Sequence, residues 1–334
     1  MRSARNSGNG AKRRTAGASR GLAAIAFVWA TVAGAAFPEK SIRLVIPYPP
    51  GGTQDLMIRV LQEPVGKALG QSLVIDNKPG AAGVVGTQEV ARAAPDGHTL
   101  GLANGGLVIT PMVQSGAASL DLTRDVAPVT LLGSSPLVIF AHPSVAADDV
   151  KGFFAWGKAQ ARGPTYSSSG LGGLGHLAAD LMLRSAGVKG LHAPYKGSAP
   201  ATLAVLSGEV QFTVTTISDT AMQNVEARKL KVLGVTTRKP YAGLPNAGTV
   251  ATVIPGFDIG VWFGVVAPRA TPQEVVQALH RAFAAALAQD EVRKRYATLG
   301  LTPEGAGPAE FGEAIARDKA TWAPIVKELN IRLD

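Results

Sequence analysis

No cysteine occurs in the 334 residues. Its absence excludes disulfides, thiolate metal sites, a cysteine nucleophile and lipidation of an N-terminal cysteine. Charged residues are scarce, at 17%. Hydrophobic residues make up 46%, which is too many for a disordered chain. Metal-binding and hydrolase signatures are missing as well. His98, His142, His176, His192 and His280 are scattered, and none has a second histidine or an acid at a spacing such as H-E-x-x-H. There is no G-x-S-x-G elbow and no Walker A loop, and Ser167, Ser168 and Ser169 stand in a different context. A secreted hydrolase is the enzyme alternative, with little to carry it. Gly170 to Gly175 is a literal G-x-G-x-x-G between a short strand and a helix. The acid that should hold a ribose about 20 residues on is absent: Gly190 to Lys196 contains no Asp or Glu. No metal, nucleotide or other cofactor is expected.

What is present begins with charge. Lys+Arg 33 against Asp+Glu 24 gives a net +9, which invites a nucleic-acid reading. The charge is unevenly placed, however. Arg2, Arg5, Lys12, Arg13, Arg14 and Arg20 precede an uncharged stretch from Gly21 to Ala36, and no acid lies among them. A basic segment, an apolar segment and the small residues Ala33-Gly34-Ala35 form the pattern of a cleaved signal peptide over residues 1–36. Residues 37–334 then carry 27 basic and 24 acidic side chains, a net of +3, and the case for nucleic acid falls away. The segment is short for a membrane span. Thr99 to Leu120 is also uncharged, but Asn104, Pro111 and Gln114 favour a buried strand, turn and loop.

The exported part reads as alternating strands and helices. Ile42 to Pro47, Ser72 to Asp76 and His98 to Ala103 are strands, with helices from Gln54 to Leu69 and up to Ala93 between them. The order implies parallel pairing with helices on both faces. The pattern recurs from Leu137 to Phe140 onward, with strands at Thr165 to Ser168, Val210 to Thr215 and Lys231 to Thr236. Gly260 to Val266 returns the chain to the first half. Thr271-Pro272-Gln273-Glu274 reads as the capped start of a long helix, and two more helices follow, near Asp290 to Leu299 and Pro308 to Leu329. The layout is two α/β domains with the C-terminal helices packed on the first.

Two loops share one chemistry. Pro50-Gly51-Gly52-Thr53 ends a strand and opens a helix, and Ser168-Ser169-Gly170-Leu171-Gly172-Gly173 does the same in the second half. Free N–H groups and the positive end of the helix dipole make such starts anion sites, and glycine lets a ligand approach the backbone. Asp55 would repel an anion unless it faces away or engages backbone donors.

At these residues the chain resembles the Bug family of periplasmic solute-binding receptors, the receptors of tripartite tricarboxylate transporters. The matching stretches are Ile42 to Gly52 with Asp55, Asn77-Lys78-Pro79-Gly80, Pro95 to Leu100, Gly170 to Leu177, Pro194 to Pro200 and Trp262 to Pro272. The resemblance implies a two-domain Venus-flytrap fold of the type II periplasmic-binding-protein class, each lobe a mainly parallel sheet flanked by helices. It implies lobes over 37–140 with 260–334, and over 141–259. It further implies a non-enzymatic monomer that captures a small carboxylate and hands it to membrane subunits of a transporter. A sensor that signals to a membrane kinase is the alternative. Carried over, Tyr48, Gly51, Gly52, Thr53 and Asp55 line the first wall. Ser168, Ser169, Gly170, Gly172 and Gly173 form the second loop, and Tyr195, Thr215 and Thr216 the far wall. Three positions depart from the family: Gly173 for a hydroxyl residue, Ala82 for glycine, and Thr215 for an aspartate that some members turn toward a ligand amine.

Overall fold

The computed structural model describes residues 37–113, 120–195 and 197–329. The signal-peptide reading of residues 1–36, the tail of the uncharged stretch and Lys196 lie outside the described residues.

The first half contains β1 (Ile42–Ile46), α1 (Thr53–Leu69), β2 (Leu73–Asn77), α2 (Val84–Ala91), β3 (Thr99–Asn104), α3 (Gly106–Val113) and α4 (Leu122–Asp125). A long strand, β4 (Val126–Ala141), leads into α5 (Val150–Ala159), β5 (Thr165–Ser168), α6 (Leu174–Ser185) and β6 (Leu191–Pro194). Next come α7 (Ser198–Leu206), β7 (Phe212–Thr216), α8 (Asp219–Glu226) and β8 (Lys231–Val235). Strand β9 (Gly260–Pro268) returns, followed by α9 (Gln273–Leu287), α10 (Asp290–Thr298), β10 (Thr302–Ala306) and α11 (Pro308–Leu329).

The fold has two α/β lobes built on one curled, mixed sheet in the order β2-β1-β3-β9-β4-β7-β5-β6, with β8 and β10 each paired to β4. Strands β2, β1 and β3 are parallel, as are β6, β5 and β7. Strand β4 joins the two sets. Its residues up to Pro136 pair with β9, and its residues from Leu137 pair with β7.

This crossing brings two sets of strand ends together. Asn104, the last residue of β3, pairs with Phe263, and Phe263 pairs with Gly133 of β4. Thr216, the last residue of β7, pairs with Leu137 of β4. Gly133 and Leu137 are four residues apart on one strand, on the order of 13 Å. The carboxyl ends of the parallel strands in both lobes therefore converge on one stretch of β4. In open α/β sheets this is where ligands bind.

Each lobe has a core cluster, and residues of α3 and α11 join the second one. Ile42, Leu44, Leu61, Phe263, Leu279 and Phe283 pack in the first, and Phe153, Tyr166, Leu177, Met182 and Phe212 in the second. The expectation that the C-terminal helices sit on the first lobe holds for α9, which packs on α1, but not for the whole of α11. This helix has 22 residues and spans roughly 33 Å. Its Phe311 and Ile315 join the first half, whereas Trp322 and Val326 enter the second-lobe core. The start of α9 also differs from the expectation. The helix begins at Gln273, and the Thr271 hydroxyl donates to the Pro268 carbonyl at 2.8 Å instead of capping it.

Candidate functional site

The first loop is held from three sides. After Ile46 the chain turns through Tyr48 to Gly52, and α1 opens at Thr53 with no side-chain cap. Gly51 has φ +83, a conformation that side-chain-bearing residues rarely adopt. Its N–H donates to Asp55 Oδ2 at 2.9 Å, and Arg59 Nε donates to the same oxygen at 2.7 Å. Asn77, at the end of β2, donates one amide to Asp55 Oδ1 and to the Tyr48 carbonyl, both at 3.1 Å. Asp55 is only 2% exposed. Burial alone would push its pKa up; the bonds from Arg59, Gly51 and Asn77 outweigh that and hold it below the usual value. The carboxylate thus engages one backbone donor and two side chains, and the Arg59 charge offsets its own. Gly51, Gly52 and Thr53 are exposed at the helix start.

Tyr48 reaches from this loop to the end of β3, where Asn104 Nδ2 donates to its hydroxyl at 2.8 Å. Burial raises the Tyr48 pKa to about 12 against the opposing Asn104 bond, so the phenol stays protonated and keeps one O–H to donate. Asn104 Oδ1 is buried without a partner among the described residues. It faces the start of α3: a Cβ added at Gly106 would lie 3.0 Å from it.

The second loop leaves β5 at Ser168 and enters α6 after Gly173. Ser168 is 1% exposed. Its hydroxyl oxygen lies 2.9 Å from the Gly170 carbonyl, 3.2 Å from the Gly170 N–H and 2.7 Å from His192 Nε2. The Gly172 N–H donates to His176 Nδ1 at 3.1 Å. The turn after β6 is tied to the same loop: the Tyr195 and Gly197 N–H groups donate to the Ser168 and Ser169 carbonyls. A serine beside a histidine raises the hydrolase alternative again. Ser168 is buried, and among the described residues no carboxylate hydrogen-bonds His192, so the third group that orients a catalytic histidine is missing. No group of three potential metal ligands occurs among the described residues.

The far wall is looser. Thr215 and Thr216 end β7 and line a cavity of about 270 Å³ with Ser198, Thr202, Ser218 and Thr220. The Tyr195 hydroxyl donates to Glu209 at 2.7 Å. Four side chains at the site escaped the sequence reading: Asn77, Asn104, His176 and His192. Asn77 stands in the matching Asn77-Lys78-Pro79-Gly80 stretch, but the partners of the two asparagines are 22 to 56 residues away, so no local pattern reveals their contacts.

Residues 57–331 match the family described as tripartite tricarboxylate transporter family receptor. Protein BugT of Bordetella pertussis is 30% identical over 317 residues, covering 93% of this chain and 95% of that protein. Among solved structures, a Rhodopseudomonas palustris protein with adipate is 30% identical with a TM-score of 0.74, covering 89% of this chain and 99% of that one. MatC from Rhodopseudomonas palustris with bound malate is 28% identical with a TM-score of 0.68, covering 87% and 100%.

Proposed function

The chain belongs to the tripartite tricarboxylate transporter receptor family and is a solute-binding receptor, and we propose that its solute is a small carboxylate. The protein captures it in the periplasm, in the cleft where the strand ends converge, and presents it to the membrane subunits of a tripartite tricarboxylate transporter. Residues 1–36 direct export. The lobes are 37–140 with 260–334, and 141–259. The observation that carries the ligand class is the pair of glycine-rich strand-to-helix loops at one crossing, with the acid beside them, Asp55, turned into its own hydrogen bonds. Adipate and malate in the two relatives support the same class.

In this reading Tyr48, Gly52 and Thr53 offer donors from the first lobe. Ser169 offers them from the second, with Thr215 and Thr216 toward the other end of the solute; the Tyr195 hydroxyl is spent on Glu209. Gly51, Asp55, Ser168, Gly170, Gly172 and Gly173 act by shaping their loops, because their donors or acceptors are engaged within them. The solute closes the lobes only by its greater affinity for the closed state.

A thermal-shift screen against mono-, di- and tricarboxylates, amino acids and nicotinamide cofactors tests this. A ligand at about 100 times its Kd adds roughly 2.7 kcal/mol, which moves the transition by a few degrees. A shift with a nicotinamide cofactor and none with any carboxylate would sink the proposal.

A further inference from the structure

Beneath the Ser168–Gly173 loop lies a layer of rings. His176 and His192 stack with centroids 3.8 Å apart and planes 13° apart. Tyr166 lies on His192 at 5.0 Å, and Phe212 on Tyr166 at 5.3 Å.

The hydrogen bonds fix the protonation of both imidazoles. His176 Nδ1 accepts the Gly172 N–H, so that nitrogen carries no proton. Ser168 has a single hydroxyl proton. The Gly170 carbonyl can only accept, so the proton goes there, and His192 must supply Nε2–H to the Ser168 oxygen. The serine oxygen then accepts from Gly170 N–H and from His192 and donates once, and every group is satisfied. Each ring spends a polar atom on the loop. His176 fixes its middle, where Gly172 has φ +72, and His192 fixes its base.

We propose that His176 and His192 are positioning residues for the solute: as a neutral stacked pair they hold the Gly170–Gly173 turn in its binding shape, and protonation of His176 releases it. The proposal rests on the reading of this loop as a wall of the solute site. Protonated His176 would present a donor to the Gly172 N–H, and two charged rings in stacking contact would repel. Tyr166 from β5 faces both rings, and Asp180 with Arg184 from α6, themselves paired at 2.7 Å, act on Tyr166. Glu328 of α11 binds Arg184 at 2.6 Å. Among the described residues no acid hydrogen-bonds either ring. Burial depresses both pKa values to about 4, and His192 adds to the effect at His176, so the pair is neutral over the physiological range.

The test compares His176→Asn, whose side-chain oxygen can replace Nδ1, with His176→Leu, and His192→Gln with His192→Leu. The first readout is the Gly172 amide by NMR in the full chain without solute. In wild type its shift titrates with the His176 ring. His176→Asn abolishes that titration while keeping slow hydrogen exchange. His176→Leu speeds exchange about tenfold or more, the loss of one hydrogen bond. The second readout is calorimetric affinity for adipate and malate at pH 7.5. The Asn and Gln variants stay within about threefold of wild type, and the Leu variants weaken about tenfold or more. Unchanged Gly172 exchange in His176→Leu, or equal damage from Asn and Leu, overturns the proposal. A loosened loop with undiminished affinity removes its role in binding. If wild type binds neither acid, the choice of solute fails, and the amide readout still decides whether the histidines mount the loop.

Discussion

Asp55 lies beside the first glycine loop with its charge fully engaged. Both carboxylate oxygens are used, and the residue is 2% exposed. Its folded pKa lies below the unfolded value. Its contribution to stability is therefore complete above the ordinary carboxylate range and is lost as pH falls through the folded value. Asp55→Asn should cost about 2 kcal/mol at pH 7, because an amide cannot accept from Gly51, Arg59 and Asn77 together. Urea unfolding at pH 7 and pH 3 checks this: the deficit should shrink at pH 3. An equal deficit at both values would mean that the charge is not what matters. Ala82 offers an opposite change. It has φ +52 inside the Gly80–Gly83 loop, a left-handed conformation that costs a side chain roughly 1–2 kcal/mol. Glycine's extra backbone entropy offsets about 0.5–1 kcal/mol of the relief. Ala82→Gly should thus stabilise by about 0.5–1 kcal/mol, and a lower melting temperature would contradict the strain. The glycine loops were readable from sequence because their chemistry is local. The asparagine clamps were not, since each depends on a strand end folding beside a loop far along the chain.

At the scale of elements, period and punctuation identified β1, α1, β5 and α11 to within a residue or two. Strand β4 was legible only at Leu137 to Phe140. Pro128, Gly133 and Pro136 argue against a strand, yet the pairing absorbs them through register shifts at Pro128/Thr130 and Leu131/Gly133. Gly133 is required there, because a Cβ would lie 2.5 Å from the Thr302 carbonyl of β10. Helix α3 escaped because it is buried on most sides and carries no charge, so it has no polar face to give it a period. Beside the Trp262–Phe311 ring contact, helix α11 meets β9 through a polar bond: Trp262 Nε1 donates to Asp318 Oδ2 at 2.6 Å. Burial raises the Asp318 pKa to about 6, with Trp262 and Arg317 opposing. A folded pKa above the unfolded one means that stability falls as pH rises from about 4 to 6 and stays lower above that. Asp318→Asn keeps an acceptor for the indole and removes the buried charge. It should therefore stabilise by about 2 kcal/mol at pH 8 and by little at pH 4. Thermal unfolding of the two proteins across this range decides it; a variant less stable than wild type at pH 8 would refute the assignment of the charge as a cost.

For the whole molecule, the described elements that pass between the lobes include two strands and two helices, α11 and α3, and Ile109 and Val113 of α3 enter the second-lobe core. Strands β4 and β9 cross as a pair, joined from Val126–Pro268 to Pro136–Gly260. Helix α11 crosses separately, with Phe311 in the first half and Trp322 in the second-lobe core. The two strands alone would form a narrow bridge that transmits little stability. The helix adds a buried contact and the Arg184–Glu328 ion pair on its far side, so closure has to move α11 with one lobe or slide it against the other. With a core shared in this way, neither lobe keeps its packing when the other unfolds. Denaturation should be a single cooperative transition, with intrinsic fluorescence and far-UV circular dichroism coincident. Trp322 is 1% exposed, and Trp322→Ala should cost about 3–5 kcal/mol and shift both signals together. Arg184→Ala removes two partly exposed ion pairs, to Glu328 and to Asp180, and should cost about 1 kcal/mol. Two resolved transitions in wild type, or a Trp322→Ala variant that loses only part of its structure at low denaturant, would show that the lobes fold independently and that α11 does not join them.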